Sequence, residues 1–351
     1  MQFAAQPKPP VGVVFDSDMG NRIESALALA LLYGFDGKNE VRAIALSVSK
    51  SNLNSAAYCD AVGRFYAGPV SAAFGASART LPVGMATGGK RAEDTPMLTG
   101  PLSKLKADGA PMYPHSVHKL NDTADPVAVI RNAFTGQYDQ NAIVVIAGPA
   151  TNLAKVLDLP GAKDLIARKV RYLAITAGAY AGNGAAVDAA VDVNVQIDIA
   201  AARKIFEEWP TPVVANGQEI GDTVMYPASS IETDFAWSPE HPVAEAYRSA
   251  GTMPYDAPTR DMAAVLYAAR PKEGYFKLSD AGTVTVLDDG RTRFAPSPEG
   301  KHRYLIFDPA QKDRILKTYT ELASAKPVPR QPRQRRPQNQ DVKPEAKAPE
   351  K

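Results

Sequence analysis

Apolar runs alternate with helix-forming segments along most of the chain, and this alternation limits the possible folds more than any other feature. The run at 11–15 is followed by a helical pattern at 24–33 that is rich in Ala and Leu. Similar apolar runs recur at 41–48, 142–147 and 170–176. Largely apolar strands separated by helices are typical of a parallel sheet that is buried on both faces. We therefore predict an α/β fold with a mostly parallel open sheet and helices on both faces.

The remaining segments suggest how the chain is divided. Three segments in 274–307 have alternating polarity, and Asp289-Gly290 between two of them is typical of a hairpin turn, so we expect a small antiparallel appendage near the C-terminus. The stretch 76–125 lacks periodicity and predicts a long loop. The expected organisation is a disordered N-terminal segment at 1–10, an α/β domain at 11–324, and a disordered, basic, Pro-rich tail at 325–351.

Charge and cysteine content exclude several classes of protein. The chain has 351 residues and a net charge of only +2, which argues against a nucleic-acid binder that works by phosphate neutralisation. The tail at 325–351 carries eight Lys and Arg against three Asp and Glu, so the rest of the chain has a net charge of −3. The single cysteine, Cys59, excludes an intrachain disulfide and a Cys-rich zinc site. No apolar run approaches the ~18 residues of a membrane span.

The compartment stays open at this stage. Residues 1–10 have no apolar core of the kind that a secretory signal needs, so the chain as given carries no signal peptide. Both a cytoplasmic protein and an exported protein whose natural N-terminus lies upstream agree with this pattern.

A group of carboxylates follows the first predicted strand. Asp16 and Asp18 come directly after it, and Glu24 begins the next helix. Ligands of open α/β sheets bind at the carboxyl ends of the strands. Neighbouring carboxylates repel unless a cation or a proton lies between them, and oxygen ligands suit Ca²⁺ or Mg²⁺. The pattern predicts a metal or catalytic site, although Asp16 alone could equally bind turn amides or cap the helix.

Other polar and aromatic residues leave two interpretations open. Asn52, after the second strand, could contact substrate or cap the next helix. His115 and His118 could supply an acid for a leaving group or form an exposed loop pair. Three aromatic side chains could either stack on a base or pack in the core. They are Tyr113, Trp237 and Tyr255. Cys59 lies beside apolar residues on a predicted helix and is expected to be buried and inert.

Five segments, in order, resemble the nucleoside hydrolases (the inosine/uridine-preferring N-ribohydrolase family). The segment DSDMGNRIESALALALL, which begins at Asp16, resembles the family's opening Asp-x-Asp-x-Gly-Asn-Asp-x-Asp-Asp-Ala-Leu-Ala-Leu. The other four segments are Ile146–Ala154, Val191–Asp198, Asn216–Gly221 and Arg260–Tyr267. The resemblance spans residues 11–287.

The resemblance implies an activity, a cofactor and a set of site residues. Members of this family hydrolyse the N-glycosidic bond of ribonucleosides, purine or pyrimidine, to ribose and free base with one bound Ca²⁺, and they form homodimers or homotetramers. By position, Asp18 is the general base. The implied calcium ligands are Asp16, Asp18, Glu24, the carbonyl of Ala147, and Asp261. The resemblance further implies that Asp192 and Asn194 bind ribose hydroxyls, with Asn183 as a helper. Asn21 and Asn52, which follow the first two strands, complete the expected substrate-binding residues.

The sequence departs from the family pattern at four site positions. Ser25 stands where the family has a second carboxylate that binds calcium, and Arg22 replaces a further Asp. Asp192 stands in place of a longer Glu, and Arg260 in place of His or a neutral residue. Calcium affinity follows the number of charged ligands, so these changes predict a weakened ion site unless Glu24 compensates.

Three functions therefore remain open from the sequence. The first is a nucleoside hydrolase with a metal-activated water and Asp18 as the base. The second is a non-catalytic relative that binds a nucleoside or ribose at a degraded metal site. The third is a phosphatase of the haloacid-dehalogenase type, since Asp-x-Asp after the first strand also begins that pattern.

Overall fold

The structure is a computed structural model that describes residues 9–68, 80–180 and 191–328. The segments expected to be disordered, 1–10 and 325–351, lie almost entirely outside the described residues, and so does Asn183.

One mixed sheet runs through the described part of the chain. Its strands are β1 (Val11–Ser17), β2 (Val41–Val48), β3 (Val83–Met85), β4 (Ala142–Ala147), β5 (Val170–Thr176), β6 (Val213–Asn216), β7 (Lys277–Leu278), β8 (Gly282–Val286), β9 (Thr292–Pro296) and β10 (His302–Ile306). Their order in the sheet is β3-β2-β1-β4-β5-β6-β10-β8-β9, with β7 paired to β10. The first six strands pair in parallel, which confirms the predicted fold class.

Helices cover this sheet. They are α1 (Ile23–Gly37), α2 (Leu53–Ala67), α3 (Pro96–Ser103), α4 (Pro126–Thr135), α5 (Thr151–Leu157), α6 (Ala162–Lys169), α7 (Val193–Ile197), α8 (Ile199–Glu208), α9 (Gln218–Thr223), α10 (Ala228–Thr233), α11 (Pro242–Ala250), α12 (Arg260–Ala269) and α13 (Lys312–Ala323). Among the described helices, none has the length and apolar character needed to cross a bilayer.

The antiparallel appendage continues the main sheet. Strand β10 runs parallel to β6, with His302 opposite Val213, and β8 and β9 pair antiparallel beyond it. The alternating burial of β8 agrees with a strand that has only one covered face.

The expectation of a long loop at 76–125 is wrong for its described part. This stretch contains β3, α3 and a 3₁₀ turn at Leu120–Asp122. These elements are short, and Pro96 and Pro101 both lie in α3. A three-residue strand and a proline-containing helix leave no periodic pattern long enough to detect, so only their tertiary contacts with β2 and α11 reveal them.

Two apolar clusters lie on the two faces of the sheet. Val13 and Phe15 of β1 belong to the cluster that includes α1, α12 and α13, whereas Val14 belongs to the cluster that includes α5 and α8. Side chains alternate across a strand, so β1 contributes to both layers. In register, Ser17 at the end of β1 lies opposite Val48 of β2 and Ala147 of β4. The carboxyl ends of these three strands thus form one edge, where the candidate site lies.

Candidate active site

Asp16 is the innermost carboxylate of the site. It is fully buried, and its Oδ1 accepts hydrogen bonds from Ser47 Oγ of β2 and, at 2.8 Å, from Asn152 Nδ2 of α5. Its Oδ2 has no partner among the described residues. Burial raises the pKa of this carboxyl to about 7, and the two hydrogen bonds oppose that rise. Asp16 thus links β1 to β2 and α5 through hydrogen bonds, and its second oxygen stays open.

Asp18 lies in the turn that follows β1. Asn21 Nδ2 donates a 2.8 Å hydrogen bond to Asp18 Oδ2, and the buried Lys50 donates to Asn21 Oδ1 at 3.0 Å. The turn is possible because Gly20 has a φ of 105°, a conformation that residues with a Cβ rarely adopt. Asp18 Oδ1 is buried and has no partner in the described structure. This carboxylate is held in place by one oxygen and open at the other.

Ser25 and Asp261 bring the two ends of the site together. Ser25 lies in α1 and Asp261 in the first turn of α12, and the Ser25 hydroxyl donates to Asp261 Oδ2 at 2.7 Å. Both residues are fully buried. Burial raises the pKa of Asp261 well above its ordinary value, and the neighbouring Glu24 carboxylate raises it further.

Glu24 is surrounded by arginine groups. Its Oε1 lies 2.8 Å from Arg22 Nε and 3.7 Å from Arg260 Nη1, and its Oε2 accepts a 3.1 Å hydrogen bond from the Arg260 main-chain N–H. Arg260 also donates at 2.6 Å to Asp222 on the more exposed side. The arginine that replaces a neutral or His residue of the family is therefore part of the charge network of the site.

Asp192 and Asn194 extend the site from the N-terminus of α7. Asp192 Oδ1 caps the helix by accepting from the main-chain N–H groups of Asn194 at 3.0 Å and Val195 at 3.1 Å. The Asn194 amide accepts from Arg22 Nη2 at 2.7 Å and donates to the Thr176 carbonyl at 3.0 Å. Burial raises the pKa of Asp192 to about 6.

The structure thus brings most of the predicted site residues to one edge of the sheet. We call these residues, with their hydrogen-bond and ion-pair partners, the carboxylate network. They are Asp16, Asp18, Asn21, Glu24, Asp192, Asn194 and Asp261. Ala147 ends β4 opposite Ser17, where its carbonyl adjoins the same edge. The roles assigned to these residues stay predictions.

Asn52 has structural partners at both ends of its amide. Its Oδ1 caps α2 by accepting from Ser55 N–H at 3.0 Å, and its Nδ2 donates to the Ala92 carbonyl and to Asp94 Oδ1. This is the capping arrangement that the sequence left open, and the substrate contact stays untested.

The other candidates have contacts with residues that are not among the predicted site residues. The rings of His115 and His118 are 4.8 Å apart, and the intervening Ser116 donates to Asp60 in the middle of α2. Tyr255 stacks on Tyr247, in agreement with a packing role. Cys59 is buried, and burial raises the pKa of its thiol, as expected for an inert residue.

Calcium was expected here, and the fit of these residues to it is poor. Within 9–68, 80–180 and 191–328, no group of three or more His, Cys, Asp or Glu side chains is arranged to hold a metal ion. Ser25 offers a hydroxyl whose proton is directed at Asp261, and Glu24 faces guanidinium groups instead of an open space. Ca²⁺ takes six to eight oxygen ligands, and this arrangement supplies few that are unengaged.

Two features of the site were missed from the sequence. Asn152 holds Asp16, and Arg22 spans from Glu24 to Asn194. The segment around Asn152 belongs to a family motif, but its role as partner of Asp16 depends on the register of β1 and β4. Arg22 departs from the family pattern, and a basic residue inside an acidic motif is the available signal for its ion pair.

Comparison with known proteins bears on the family and the fold of this chain. The sequence profile of a family described as inosine-uridine preferring nucleoside hydrolase matches residues 13–318. No curated protein sequence matches the chain.

Solved structures match over nearly the whole chain. A plant nucleoside hydrolase is 20% identical and covers 90% of this chain and 100% of its own, with a TM-score of 0.62. A purine-preferring ribonucleoside hydrolase from Gardnerella vaginalis is 16% identical, with coverages of 90% and 99% and a TM-score of 0.64. An inosine-uridine preferring nucleoside hydrolase from Bacillus anthracis is also 16% identical, with coverages of 90% and 99% and a TM-score of 0.59.

At such identities the structures show a shared fold, and the profile match carries the family assignment. The match covers the strands and helices that deliver every described carboxylate of the site, from Asp16 to Asp261. It supports N-ribohydrolase chemistry in general. The chain therefore belongs to the inosine-uridine preferring nucleoside hydrolase family.

Proposed function

We propose that this protein hydrolyses the N-glycosidic bond of ribonucleosides, purine or pyrimidine, to ribose and free base, with Asp18 as the general base. The observation that carries the proposal is the state of the Asp18 carboxylate. Its Oδ2 is fixed by Asn21 at 2.8 Å, while its Oδ1 is buried without a partner at the carboxyl edge of the sheet. An oriented carboxylate with one open oxygen suits the removal of a proton from water.

The reaction replaces a carbon–nitrogen bond by a carbon–oxygen bond. The oxygen of water adds to the anomeric carbon as the bond from that carbon to the base nitrogen breaks, and one water proton passes to Asp18 Oδ1. The departing nitrogen takes up a proton from solvent, and Asp18 then returns its proton to solvent. Such a transition state carries positive charge on the sugar, and nearby carboxylates stabilise it. Asp18, which is buried, supplies negative charge in surroundings with little water to screen it.

Asp192 and Asn194 are the residues proposed to bind ribose hydroxyls. Each is 2% exposed, and each is fixed by hydrogen bonds to main-chain groups or to Arg22. Side chains that are held in place before binding align a substrate at a low entropic cost. The proposed substrate is thus a small nucleoside, and the homodimer or homotetramer implied by the family stays a prediction.

The proposed reaction has no step at a calcium ion. The family resemblance implies Ca²⁺, but the carboxylates are partnered by Ser25, Arg22 and Arg260 in ways that do not fit a calcium shell. The proton transfer to Asp18 is therefore assigned to the chain's own residues alone.

A second candidate is a relative that binds nucleosides without cleaving them. The observation in its favour is the same pair of departures, Ser25 and Arg22, because they alter the site while the elements around it are intact. The fold by itself does not separate the two candidates.

The test incubates the full-length protein with inosine or uridine and measures released ribose as reducing sugar. Under the proposal, wild type releases ribose and Asp18→Asn loses about 10²-fold or more of the rate. Asp313→Asn, on the exposed first turn of α13, is the matched control and keeps the rate.

The same samples separate the alternatives. A rise in the unfolding temperature with inosine, but no ribose, supports the binding relative and contradicts the hydrolase. If inosine, uridine, adenosine and cytidine give neither ribose release nor a rise in the unfolding temperature, both candidate functions are contradicted.

A further inference from the structure

A cation already lies among the carboxylates of this site. The Arg22 guanidinium is 2.8 Å from Glu24 Oε1 through Nε and 2.7 Å from Asn194 Oδ1 through Nη2. The first contact is an ion pair, and the second joins the start of α1 to the start of α7. Arg22 thus links Glu24, which also lies near Arg260 of α12, to Asn194, which is proposed to bind ribose.

The Arg22 guanidinium is the closer of two cations at the Glu24 carboxylate. Its Nε lies 2.8 Å from Glu24 Oε1, whereas Arg260 Nη1 lies 3.7 Å from the same oxygen. Arginine stays protonated at any pH at which the protein folds, so the positive charge is permanent. The acidic residues therefore have a counter-charge that belongs to the chain.

Proton donors also take up carboxylate oxygens that an ion would need. Ser25 donates to Asp261 Oδ2, and the Arg260 N–H donates to Glu24 Oε2. Asp16 Oδ2, Asp18 Oδ1 and Asp261 Oδ1 remain without hydrogen-bond partners among the described residues. These three carboxylate oxygens are open to water or to substrate hydroxyls but fall short of the six to eight oxygen ligands that Ca²⁺ takes.

We propose that the Arg22 guanidinium is the resident cation of this site and replaces the metal ion that the family resemblance implies. It pairs with the Glu24 carboxylate, and it orients the Asn194 amide. Arg22 is thus a positioning residue that acts through its neighbours. The inference concerns the charge of the site and stands whether or not the site cleaves nucleosides.

The inference predicts how the folded protein responds to metal. With its own cation in place, the wild-type protein gains nothing from Ca²⁺. Removal of the charge by Arg22→Gln leaves the acidic residues uncompensated, and this variant should then unfold at a lower temperature and gain a response to Ca²⁺. Arg22→Lys keeps the charge and should respond to Ca²⁺ as little as wild type does.

The experiment records thermal unfolding of the full-length protein without substrate, in EDTA and in millimolar CaCl₂, together with calorimetric titration of CaCl₂. Arg64→Gln is the matched control, because Arg64 also pairs with a buried carboxylate, that of Asp60 at 2.9 Å, but on α2 outside the carboxylate network. We expect equal midpoints for wild type in the two buffers, and for Arg22→Gln a rise of about 2 °C or more in CaCl₂, because ligand binding stabilises the folded state.

Two results would overturn the proposal. One is a wild-type protein that binds Ca²⁺ with measurable heat and a higher midpoint. The other is an Arg22→Gln variant that is as stable as wild type in EDTA and does not respond to CaCl₂. If Arg22→Gln fails to fold in EDTA, its circular dichroism is recorded again in CaCl₂. Recovery of the native spectrum supports the proposal. Failure to recover, together with an unfolded Arg22→Lys variant, overturns it. Ribose release does not enter these readouts, so failure here is distinct from failure of the proposed function.

Discussion

Ser25 Oγ donates a 2.7 Å hydrogen bond to Asp261 Oδ2, and this contact joins α1 to α12 across 236 residues of sequence. A second carboxylate at position 25 would face Asp261 with like charge and would need a cation between them. The hydroxyl removes that need, because it offers a proton. The relationship explains how a site with fewer acidic residues than its family pattern can fold around a buried Asp261.

The first prediction concerns that hydroxyl. Ser25→Ala leaves Asp261 Oδ2 buried without a donor, so the free energy of unfolding should fall by about 1–3 kcal/mol. Urea denaturation at neutral pH measures this change. Ser103→Ala is the control, since the Ser103 hydroxyl bonds only an exposed carbonyl. A midpoint for Ser25→Ala equal to that of Ser103→Ala would contradict the role assigned to the hydrogen bond.

The second prediction concerns the space behind Asp18. A Cβ on Gly148 would lie 2.5 Å from Asp18 N and 3.2 Å from Asp18 Oδ1, closer than packed atoms approach. Gly148→Ala should therefore displace the Asp18 carboxylate and lower kcat for ribose release by about 10-fold or more. Gly136→Ala is the control, because its added Cβ meets only ordinary contacts at 3.6 Å. Equal kcat values for the two variants would argue against a positioned Asp18.

The third prediction is a pH dependence that arises from Asp192. Burial raises its pKa in the folded protein to about 6, against an ordinary value of 3.8. The folded state thus holds the proton more tightly, so this group's contribution to stability is full below about pH 4 and is lost as the pH rises through about 6. Asn caps helices as well as Asp does and lacks this loss. Asp192→Asn should therefore gain stability relative to wild type between pH 4.5 and pH 7.5.

Urea denaturation at the two pH values measures the difference between Asp192→Asn and wild type. Asp125→Asn is the matched control, because Asp125 caps α4 in the same way but is exposed. A difference for Asp192→Asn that is the same at both pH values would show that this carboxyl does not titrate as proposed.

The fourth prediction concerns His241, which is fully buried. Its ring packs against Phe65, Phe235 and Trp237, and burial lowers its pKa to about 3. The unfolded chain binds a proton near pH 6.5 and the folded protein does not, so stability is lost as the pH falls below about 6.5. His241→Asn keeps a side chain that can cap α11 and should show a shallower loss of stability between pH 7 and pH 5. His118→Asn, at an exposed position, should keep the wild-type slope of the unfolding midpoint with pH.

The sequence was sufficient to predict the elements whose pattern is local. Val41–Val48, Ala142–Ala147 and Val170–Thr176 were bounded correctly because each is an apolar run that ends at a polar or glycine-containing turn. The position of Asp16 and Asp18 at the carboxyl edge followed from the same pattern, since parallel strands deliver their following residues to one side. The sequence does not predict the short elements within 80–125, because a three-residue strand and a helix that contains two prolines show no regular apolar pattern.

By itself, the sequence determined the α/β class, the family and the edge of the sheet at which the acidic residues gather, because strand and helix periodicity and motif order are properties of neighbouring residues. Only the tertiary structure decided which groups face one another there. Ser25 meets Asp261, Asn152 meets Asp16, and Arg22 reaches Glu24 and Asn194. Whether a carboxylate lies next to a hydrogen-bond donor, a guanidinium or an open space depends on distances between residues that are remote in sequence. Those distances are fixed by the register of the strands and the packing of α1 against α12.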